Sequence, residues 1–184
     1  MLYQSFVKNL LSEKRYEHSV NVALAAAKFA VKLNENVEKA QIAGILHDIA
    51  KEWSKEEHMS FIKKHGIKLL NHEFASKKLL HALTGSYYAK FVLKIKDYDI
   101  INAIRFHTTA RKGMSNLEKI VYVSDFISAE RSFEGVKKLR DLANKNFEAA
   151  FINGLIYSIC ELTEKKQIIH PDTFKAYNEF IFND

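Results

Sequence analysis

Hydrophobic residues recur every three or four positions along most of the chain, which is the spacing of an amphipathic α-helix. Val20, Leu24, Ala27 and Val31 show this spacing and form the apolar stripe of the second predicted helix. No segment alternates convincingly between apolar and polar residues with a period of two, so no β-strand is predicted. The predicted helices cover residues 2–11, 13–33, 37–51, 54–65, 73–94, 98–107, 115–129, 133–143, 146–164 and 172–181.

Polar residues at the starts and ends of these segments support the helix boundaries. Ser54 is followed three residues later by Glu57, and Ser115 is followed in the same way by Glu118. This spacing is typical of a capping box, in which the two side chains bind each other's backbone amides. Gly66 lies where the helix that starts at Ser54 is expected to end, as glycine commonly does.

The composition favours long helices within one domain. The chain has one proline and six glycines, which is low for both residue types and leaves few breaks between helices. It contains no internal repeat, low-complexity tract or linker. Residues 1–184 are therefore predicted to form a single all-α domain with a sizeable core.

The cellular compartment is predicted from three features of the sequence. Cys160 is the single cysteine, which excludes an internal disulfide and is typical of a reducing cytosol. The N-terminal residues lack the apolar region and cleavage site of a signal peptide. No apolar run approaches the roughly 18 residues that a membrane span needs. We therefore expect a cytoplasmic protein with no membrane partner.

The formal net charge of +6 indicates a preference for anionic partners. A nucleotide, a nucleic acid or an anionic membrane would each satisfy it, and so would an ordinary, mildly basic surface. No block of consecutive lysines and arginines stands out. The charge alone does not identify the partner.

The stretch AGILHDIAKEW, residues 43–53, places a histidine and an aspartate side by side in an apolar run. The helix predicted over 37–51 is apolar on nearly all sides from Ile42 to Ala50, which is typical of a buried helix. A carboxylate there costs free energy unless another group pairs with it. His47 and Asp48 therefore require an explanation.

Further residues of the same kinds lie on or beside apolar faces of other predicted helices. A single histidine of this kind is more often a satisfied core residue than a ligand, but six exceptions in one small domain are better explained by convergence on a metal ion. The six residues are His18, His47, Asp48, His81, His107 and Asp125. An N/O site of this kind suits Fe, Mn, Co or Zn. His58, His65 and His72 lie in polar or loop contexts and are given no metal role.

Taken together, these residues resemble the signature of the HD-domain metal-dependent phosphohydrolases, an all-α superfamily. Its pattern is a histidine, a later His-Asp pair and a distant aspartate, which are matched here by His18, His47, Asp48 and Asp125. The strings HSVNVALAAAKFA, AGILHDIAKEW, AIRFHTTARKGMSNLEKIVYVSDFISAER and VKKLR are similar to the bacterial YqeK family. That family hydrolyses diadenosine tetraphosphate symmetrically to two ADP. The resemblance extends over about residues 15 to 178.

The resemblance implies an HD-type helical bundle with a metal site between helices. His18, His47, Asp48 and Asp125 would hold the first ion. His81 and His107 would complete a second site, with Asp48 bridging the two ions. The family is associated with iron, so iron is the expected metal. Five of these residues would also contact the substrate: His18, Asp48, His81, His107 and Asp125.

The chemistry expected of such a site is phosphoric-anhydride hydrolysis. Two ions a few ångströms apart acidify a bridging water and neutralise charge on the phosphoryl oxygens. Asp48 and Lys51 would be the catalytic residues, with Lys51 one turn after Asp48 and touching a phosphate; the alternative is a lysine that extends to solvent. Arg131 is a candidate phosphate clamp, and the alternative is an ordinary salt bridge at a helix end.

The remaining predicted contacts with substrate are in loops. Thr108 and Thr109 directly follow His107 and would either bind phosphate or fix the loop. The residues expected to line the nucleoside pocket lie near the C-terminal helix, at His170, Pro171 and Thr173.

Two alternatives to this function remain open. An HD-type nucleotidase or phosphodiesterase would use the same metal site on another nucleotide. A non-catalytic helical module that binds nucleotide or RNA is compatible with the charge, but it would not need six converging metal-type residues. The metal content of the purified protein separates these classes. A nucleotide is the expected partner rather than a nucleic acid, and a homodimer is left open.

Overall fold

The computed structural model describes residues 1–74 and 77–183, and all regular secondary structure in these ranges is α-helical. The helices are α1 (Gln4–Lys8), α2 (Glu13–Lys32), α3 (Val37–Leu46), α4 (Lys55–Lys64), α5 (Asn71–Phe74), α6 (Lys77–Phe91), α7 (Tyr98–Phe106), α8 (Asn116–Ile127), α9 (Val136–Lys145), α10 (Phe147–Glu164) and α11 (Pro171–Asn183). The prediction of an all-α fold is confirmed.

The helices surround one main hydrophobic core. α2 packs along α3, and α8 packs against both of them. α7 lies against α3 and α8, and α6 packs against α7 and α4. α10 packs on α8 and also contacts α9 and α11. A smaller apolar cluster lies between α4 and α6. This arrangement brings α2, the end of α3, α6, α7 and α8 together around one region of the interior.

The buried face of α2 is built mainly from small residues. Leu24 and Val31 of the predicted apolar stripe are 54% and 70% exposed, so that stripe is not the core-facing one. The buried positions of α2 are His18, Ser19, Val22, Ala23, Ala26, Phe29 and Ala30. Alanines predominate there because α3 approaches the backbone of α2 closely, which leaves no room for larger side chains.

Gly44 of α3 lies at the point of closest approach to α2. A Cβ atom added there would lie 2.7 Å from Ala23 Cα and 3.0 Å from Ala23 N, both of which are backbone atoms. We expect Gly44→Ala to lower the free energy of unfolding by about 1–3 kcal/mol, because this overpacking outweighs the better helix propensity of alanine. Denaturant unfolding would measure the change. Gly154→Ala is the matched control, since its Cβ would meet only side chains at 3.4 Å or beyond. Equal stability of the two variants would contradict the prediction.

One of the two predicted capping boxes is present. Ser54 and Glu57 cap α4 reciprocally, as expected. Ser115 accepts a hydrogen bond from the Glu118 amide, but the Glu118 carboxylate binds the Arg111 guanidinium instead of returning to the backbone of Ser115. The prediction of a second capping box is therefore wrong. Glu118 is only 1% exposed, and a buried carboxylate needs a cationic partner more than a second backbone contact.

Several helix boundaries differ from the predicted ones. The helices predicted over 37–51 and 98–107 end at Leu46 and Phe106. The segment predicted as one helix over 73–94 covers the end of α5 and the whole of α6. Residues 75 and 76 between these helices lie outside the described ranges. α9 begins at Val136 rather than at 133, because Gly135 before it has a left-handed backbone conformation with φ of 88°.

No helix in the described ranges combines the length and the apolar character that crossing a lipid bilayer requires.

Candidate metal centre

Two histidines of the predicted site lie immediately after the ends of helices. His47 is the C-cap residue of α3 and His107 is the C-cap residue of α7. The Nδ1 atom of His47 lies 2.7 Å from the Gly44 carbonyl oxygen, and that of His107 lies 2.7 Å from the Ile104 carbonyl oxygen. Because a carbonyl only accepts, each Nδ1 carries the proton and each Nε2 presents a lone pair.

These contacts also explain why the helices end where they do. In a continuing helix, each of these carbonyls would accept the amide N–H four residues later. The imidazole takes that place, and the chain continues from His47 with tighter three-residue turns, in which the Lys51 amide donates to the Asp48 carbonyl at 2.9 Å. The expectation that His47 and Asp48 lie in the middle of a helix is therefore wrong, because both follow its end.

A first group of side chains meets His47 from α2 and α8. The Nε2 atom of His18 lies 3.2 Å from that of His47 and 3.1 Å from Oδ1 of Asp125. The same Asp125 oxygen lies 3.9 Å from His47 Nε2. The ligand atoms of these three residues lie within 4.8 Å of one another, and His18 and His47 are buried. Three separate helices thus converge on one small volume.

Asp48 lies between this group and a second pair of histidines. Its Oδ2 atom lies 3.7 Å from His18 Nε2 and 3.6 Å from His47 Nε2. Its Oδ1 atom lies 3.0 Å from His81 Nε2 and 3.5 Å from His107 Nε2. The two carboxylate oxygens therefore face two different sets of imidazoles. All six residues singled out in the sequence belong to this one cluster.

Burial and mutual proximity shift the protonation of the cluster. Burial lowers the pKa of His47 to about 4 and, together with the Lys51 ammonium, the pKa of His81 to about 3. Burial would raise the pKa of Asp48, but the imidazoles around it hold that pKa well below its usual value. Burial would also raise the pKa of Asp125, but the hydrogen bond with His18 holds that pKa well below its usual value. Near neutral pH the cluster thus combines neutral imidazoles at His47 and His81 with two ionised carboxylates.

The protein surrounds the cluster with three cationic side chains. The Arg15 Nη1 atom lies 3.4 Å from Asp48 Oδ2, and Lys51 Nζ lies 3.3 Å from Asp48 Oδ1 and 3.1 Å from His81 Nε2. The Arg131 Nη2 atom lies 2.5 Å from Asp125 Oδ1. Lys51 is therefore directed inward, and Arg131 forms an ion pair with a residue of the cluster. Arg15 was not predicted as a site residue, although its position one turn before His18 places both side chains on the same face of α2.

A carboxylate that was not predicted from the sequence contacts His18 on the side opposite Nε2. Glu130 follows α8 and forms an ion pair with Nδ1 of His18. Asn21 Nδ2 donates to its Oε2 atom at 2.8 Å, and Ser128 Oγ donates to Oε1 at 2.6 Å. Burial would lower the pKa of His18, but Asp125 and Glu130 outweigh it and raise that pKa.

The predicted loop residues make contacts among themselves. Thr173 Oγ1 donates to the Thr109 carbonyl at 2.8 Å, and Thr109 Oγ1 donates to the carbonyl of Ala110. These bonds join the loop after α7 to the start of α11, which is the loop-fixing role considered for Thr109. The Thr108 hydroxyl is buried without a hydrogen bond in the described chain. His170 is buried and accepts a bond from the Asp172 amide, whereas Pro171 is exposed and begins α11.

The expectation that His58 lies in a polar or loop context is wrong. This residue is on α4 and fully buried, because α4 packs against α6 at this position. Its Nδ1 donates to Thr84 Oγ1 at 2.8 Å, since that hydroxyl gives its own proton to the Leu80 carbonyl. The side chain of His72 lies outside what the structure describes.

The donor set of the cluster fits divalent metal ions. His47 and His107 have their protons on Nδ1, so their Nε2 lone pairs point into the cluster, at 3.2 Å from the Nε2 of His18 and 3.1 Å from that of His81 respectively. Asp48 Oδ1 is buried and accepts no hydrogen bond of good geometry in the described chain. These nitrogen lone pairs and carboxylate oxygens lie close together with few hydrogen atoms between them, so a cation among them would stabilise the arrangement. Imidazole with carboxylate is a common donor set for divalent transition metals.

Comparison with known proteins gives a consistent result. The model of the family described as HD domain matches residues 15–130. A protein of Halalkalibacterium halodurans named bis(5'-nucleosyl)-tetraphosphatase, symmetrical, is 40% identical over 177 residues, covering 95% of this chain and 93% of that protein. A protein of the same name from Bacillus subtilis is 40% identical over 174 residues, covering 94% and 92%.

A solved structure from Clostridium acetobutylicum has the same fold. It is described as a "predicted HD superfamily hydrolase involved in NAD metabolism", and it superposes with a TM-score of 0.94 at 38% sequence identity. The match covers 98% of this chain and 96% of that one. The fold, the His-Asp cluster and the family match lead to one conclusion: this chain belongs to the HD-domain family.

Proposed function

We propose that this chain is a metal-dependent hydrolase that cleaves diadenosine tetraphosphate symmetrically into two ADP. The observation that carries the metal chemistry is the position of Asp48, whose two oxygens face separate groups of imidazoles. The choice of substrate is supported by two relatives that carry the name of this activity and align with nearly the whole chain.

The proposed centre holds two divalent ions. His18, His47, Asp48 and Asp125 would hold the first, and Asp48, His81 and His107 would hold the second. Bound there, the ions would acidify a water molecule and neutralise charge on the phosphoryl oxygens. Iron is the proposed metal, on the resemblance to the YqeK family; the same donor set also accepts Mn, Co or Zn.

The protein's own residues would orient the substrate. Lys51, Arg15 and Arg131 each lie within 3.4 Å of a carboxylate of the cluster, at its outer edge. Their side chains are 26%, 36% and 39% exposed, so each can also reach an anion that arrives from solvent. Charge-assisted hydrogen bonds from these three groups would hold a polyphosphate across Asp48. Arginine is suited to this role because its guanidinium binds two phosphate oxygens at once.

The loop after α7 and the start of α11 would complete the proposed substrate site. Thr108 would bind phosphate through its hydroxyl, which has no hydrogen bond in the described chain. Thr109 would hold the loop in place through its bond with Thr173. We propose that His170 and Pro171, at the start of α11, line the nucleoside pocket together with Thr173. A cytoplasmic location is part of the proposal, and a homodimer is left open.

Product analysis tests the proposed reaction. Metal-replete protein incubated with diadenosine tetraphosphate should give ADP as the only nucleotide product, because symmetric cleavage breaks the central anhydride. Chromatography of the products would measure this, with metal content determined on the same sample. Appearance of ATP and AMP would contradict symmetric cleavage. Absence of turnover by metal-loaded protein would favour the alternative, an HD-type nucleotidase or phosphodiesterase that acts on another nucleotide.

A further inference from the structure

His18 is supported differently from the two histidines at the helix ends. His47 and His107 each donate Nδ1–H to a backbone carbonyl that the end of the helix leaves free. His18 lies within the 20-residue helix α2, where neighbouring carbonyls accept helical hydrogen bonds. A ring at such a position needs an acceptor from another part of the chain. That acceptor is Glu130, 112 positions away in sequence.

Glu130 is itself held by a set of donors. Oε1 accepts from Ser128 Oγ as well as from His18, and Oε2 accepts from Asn21 Nδ2. Asn21 is one turn after His18 on α2, so the Glu130 carboxylate binds two side chains of the same helix. These three donors restrict the position of the Glu130 carboxylate beside the His18 ring.

The turn that carries Glu130 is fixed by one arginine of α9. Arg140 donates through Nη2 to the carbonyls of Ser128 at 2.6 Å, Ala129 at 3.2 Å and Arg131 at 2.7 Å. Its Nε atom donates to the Ile127 carbonyl at 2.9 Å. The guanidinium thus binds carbonyls on both sides of Glu130. These bonds give hydrogen-bond donors to the free carbonyl groups at the end of α8 and set the position of the Glu130 carboxylate.

We propose that Glu130 is a positioning residue that keeps the proton of His18 on Nδ1 and turns its Nε2 toward the metal centre. Histidine ligands commonly donate their other N–H to a carboxylate in this way, which orients the ring and raises the basicity of the ligand atom. The inference rests on the proposed role of His18 as a metal ligand. It assigns to Glu130 no contact with substrate.

Metal titration of two variants tests this role. The apoprotein would be titrated with Co²⁺ against a competing chelator. We expect Glu130→Ala to weaken binding by about 10- to 100-fold, which is the usual cost of losing such a partner. Glu130→Gln should weaken it less, because the amide oxygen can still accept from Nδ1–H while Asn21 turns its own amide to match. Glu134→Gln is the control, since Glu134 is exposed and lies in the same connection between α8 and α9.

A second readout reports on the imidazole ring directly. In Zn²⁺-loaded protein with ¹⁵N-labelled histidine, long-range ¹H–¹⁵N spectra show which ring nitrogen carries the proton. The protein and its Glu130→Gln variant should show His18 with the proton on Nδ1, and Glu130→Ala should show a weaker or mixed population. If Glu130→Ala fails to fold, Ser128→Ala and Asn21→Ala each remove one support of Glu130 and should give intermediate losses of metal affinity.

The outcomes separate this inference from the proposed function. Unchanged Co²⁺ affinity in Glu130→Ala would overturn the positioning role, and equal losses in the alanine and glutamine variants would assign the effect to charge alone and also overturn it. A protein that binds no metal at all would overturn the metal centre together with this inference. The wrong nucleotide products would overturn only the substrate.

Discussion

Replacing Asp48 with asparagine is expected to remove most of the bound metal and to lower kcat/KM by about 10³-fold, which corresponds to about 4 kcal/mol of lost transition-state stabilisation. The substitution keeps the shape of the side chain but removes its charge and one acceptor oxygen. Both oxygens of Asp48 face imidazoles that come from different helices. A single amide therefore cannot replace the carboxylate on both sides.

Metal analysis and hydrolysis should be measured on the same preparations of the Asp48→Asn protein. Asp141→Asn provides the control, because it makes the same chemical change at an exposed position of α9. Circular dichroism would verify that both variants are folded. Retention of full metal content and full hydrolysis by Asp48→Asn would show that the centre lies elsewhere.

Replacing Lys51 with methionine is expected to lower kcat/KM by about 10²- to 10³-fold, the usual effect of losing one positioned donor to a developing oxyanion. Methionine keeps the apolar stem of the side chain and removes the ammonium. We expect the metal content to be unchanged or higher, because Lys51 Nζ lies 3.1 Å from His81 Nε2 and 3.3 Å from Asp48 Oδ1 and competes with a cation for them. Steady-state kinetics and metal analysis would measure the two quantities.

Lys14→Met is the matched control for this variant, since Lys14 is an exposed lysine of α2. Two results would count against the role of Lys51. Undiminished hydrolysis would mean that the ammonium only pairs with Asp48 and takes no part in the reaction. A parallel loss of metal and activity would mean that Lys51 assembles the centre rather than contacting the substrate.

Most of the fold could be predicted from local sequence patterns. The apolar spacing of three and four residues gave the helices, and Ser54 with Glu57 gave the start of α4. The buried face of α2 could not be identified in the same way. Its alanines are explained by the close approach of Gly44 to Ala23, which is a contact between two helices rather than a property of either sequence. The same limit applies to Glu118, whose partner Arg111 comes from the preceding loop.

In the candidate site too, some residues could be predicted from local sequence and others depend on contacts between distant segments. The six histidines and aspartates could be identified because each is chemically unusual in its own apolar surroundings. Arg15 and Glu130 could not, because charged residues near helix ends are common in any sequence. Their roles depend on the distances to Asp48 and His18, which only the folded chain sets. The early ends of α3 and α7 were not predicted for a similar reason. At each end an imidazole, rather than a backbone amide, donates the hydrogen bond to a helix carbonyl.

The distance in sequence between His18 and Glu130 has a consequence for folding kinetics. These residues are 112 positions apart, so α2 and the end of α8 can meet only after a large loop has closed. Contacts of high sequence separation form slowly, because the entropy of loop closure is lost before the contacts compensate for it. The cluster should therefore be among the last parts of the chain to assemble. A nascent chain that ends before α8 has only part of the donor set, so capture of the ion during synthesis should follow the emergence of α8 from the ribosome.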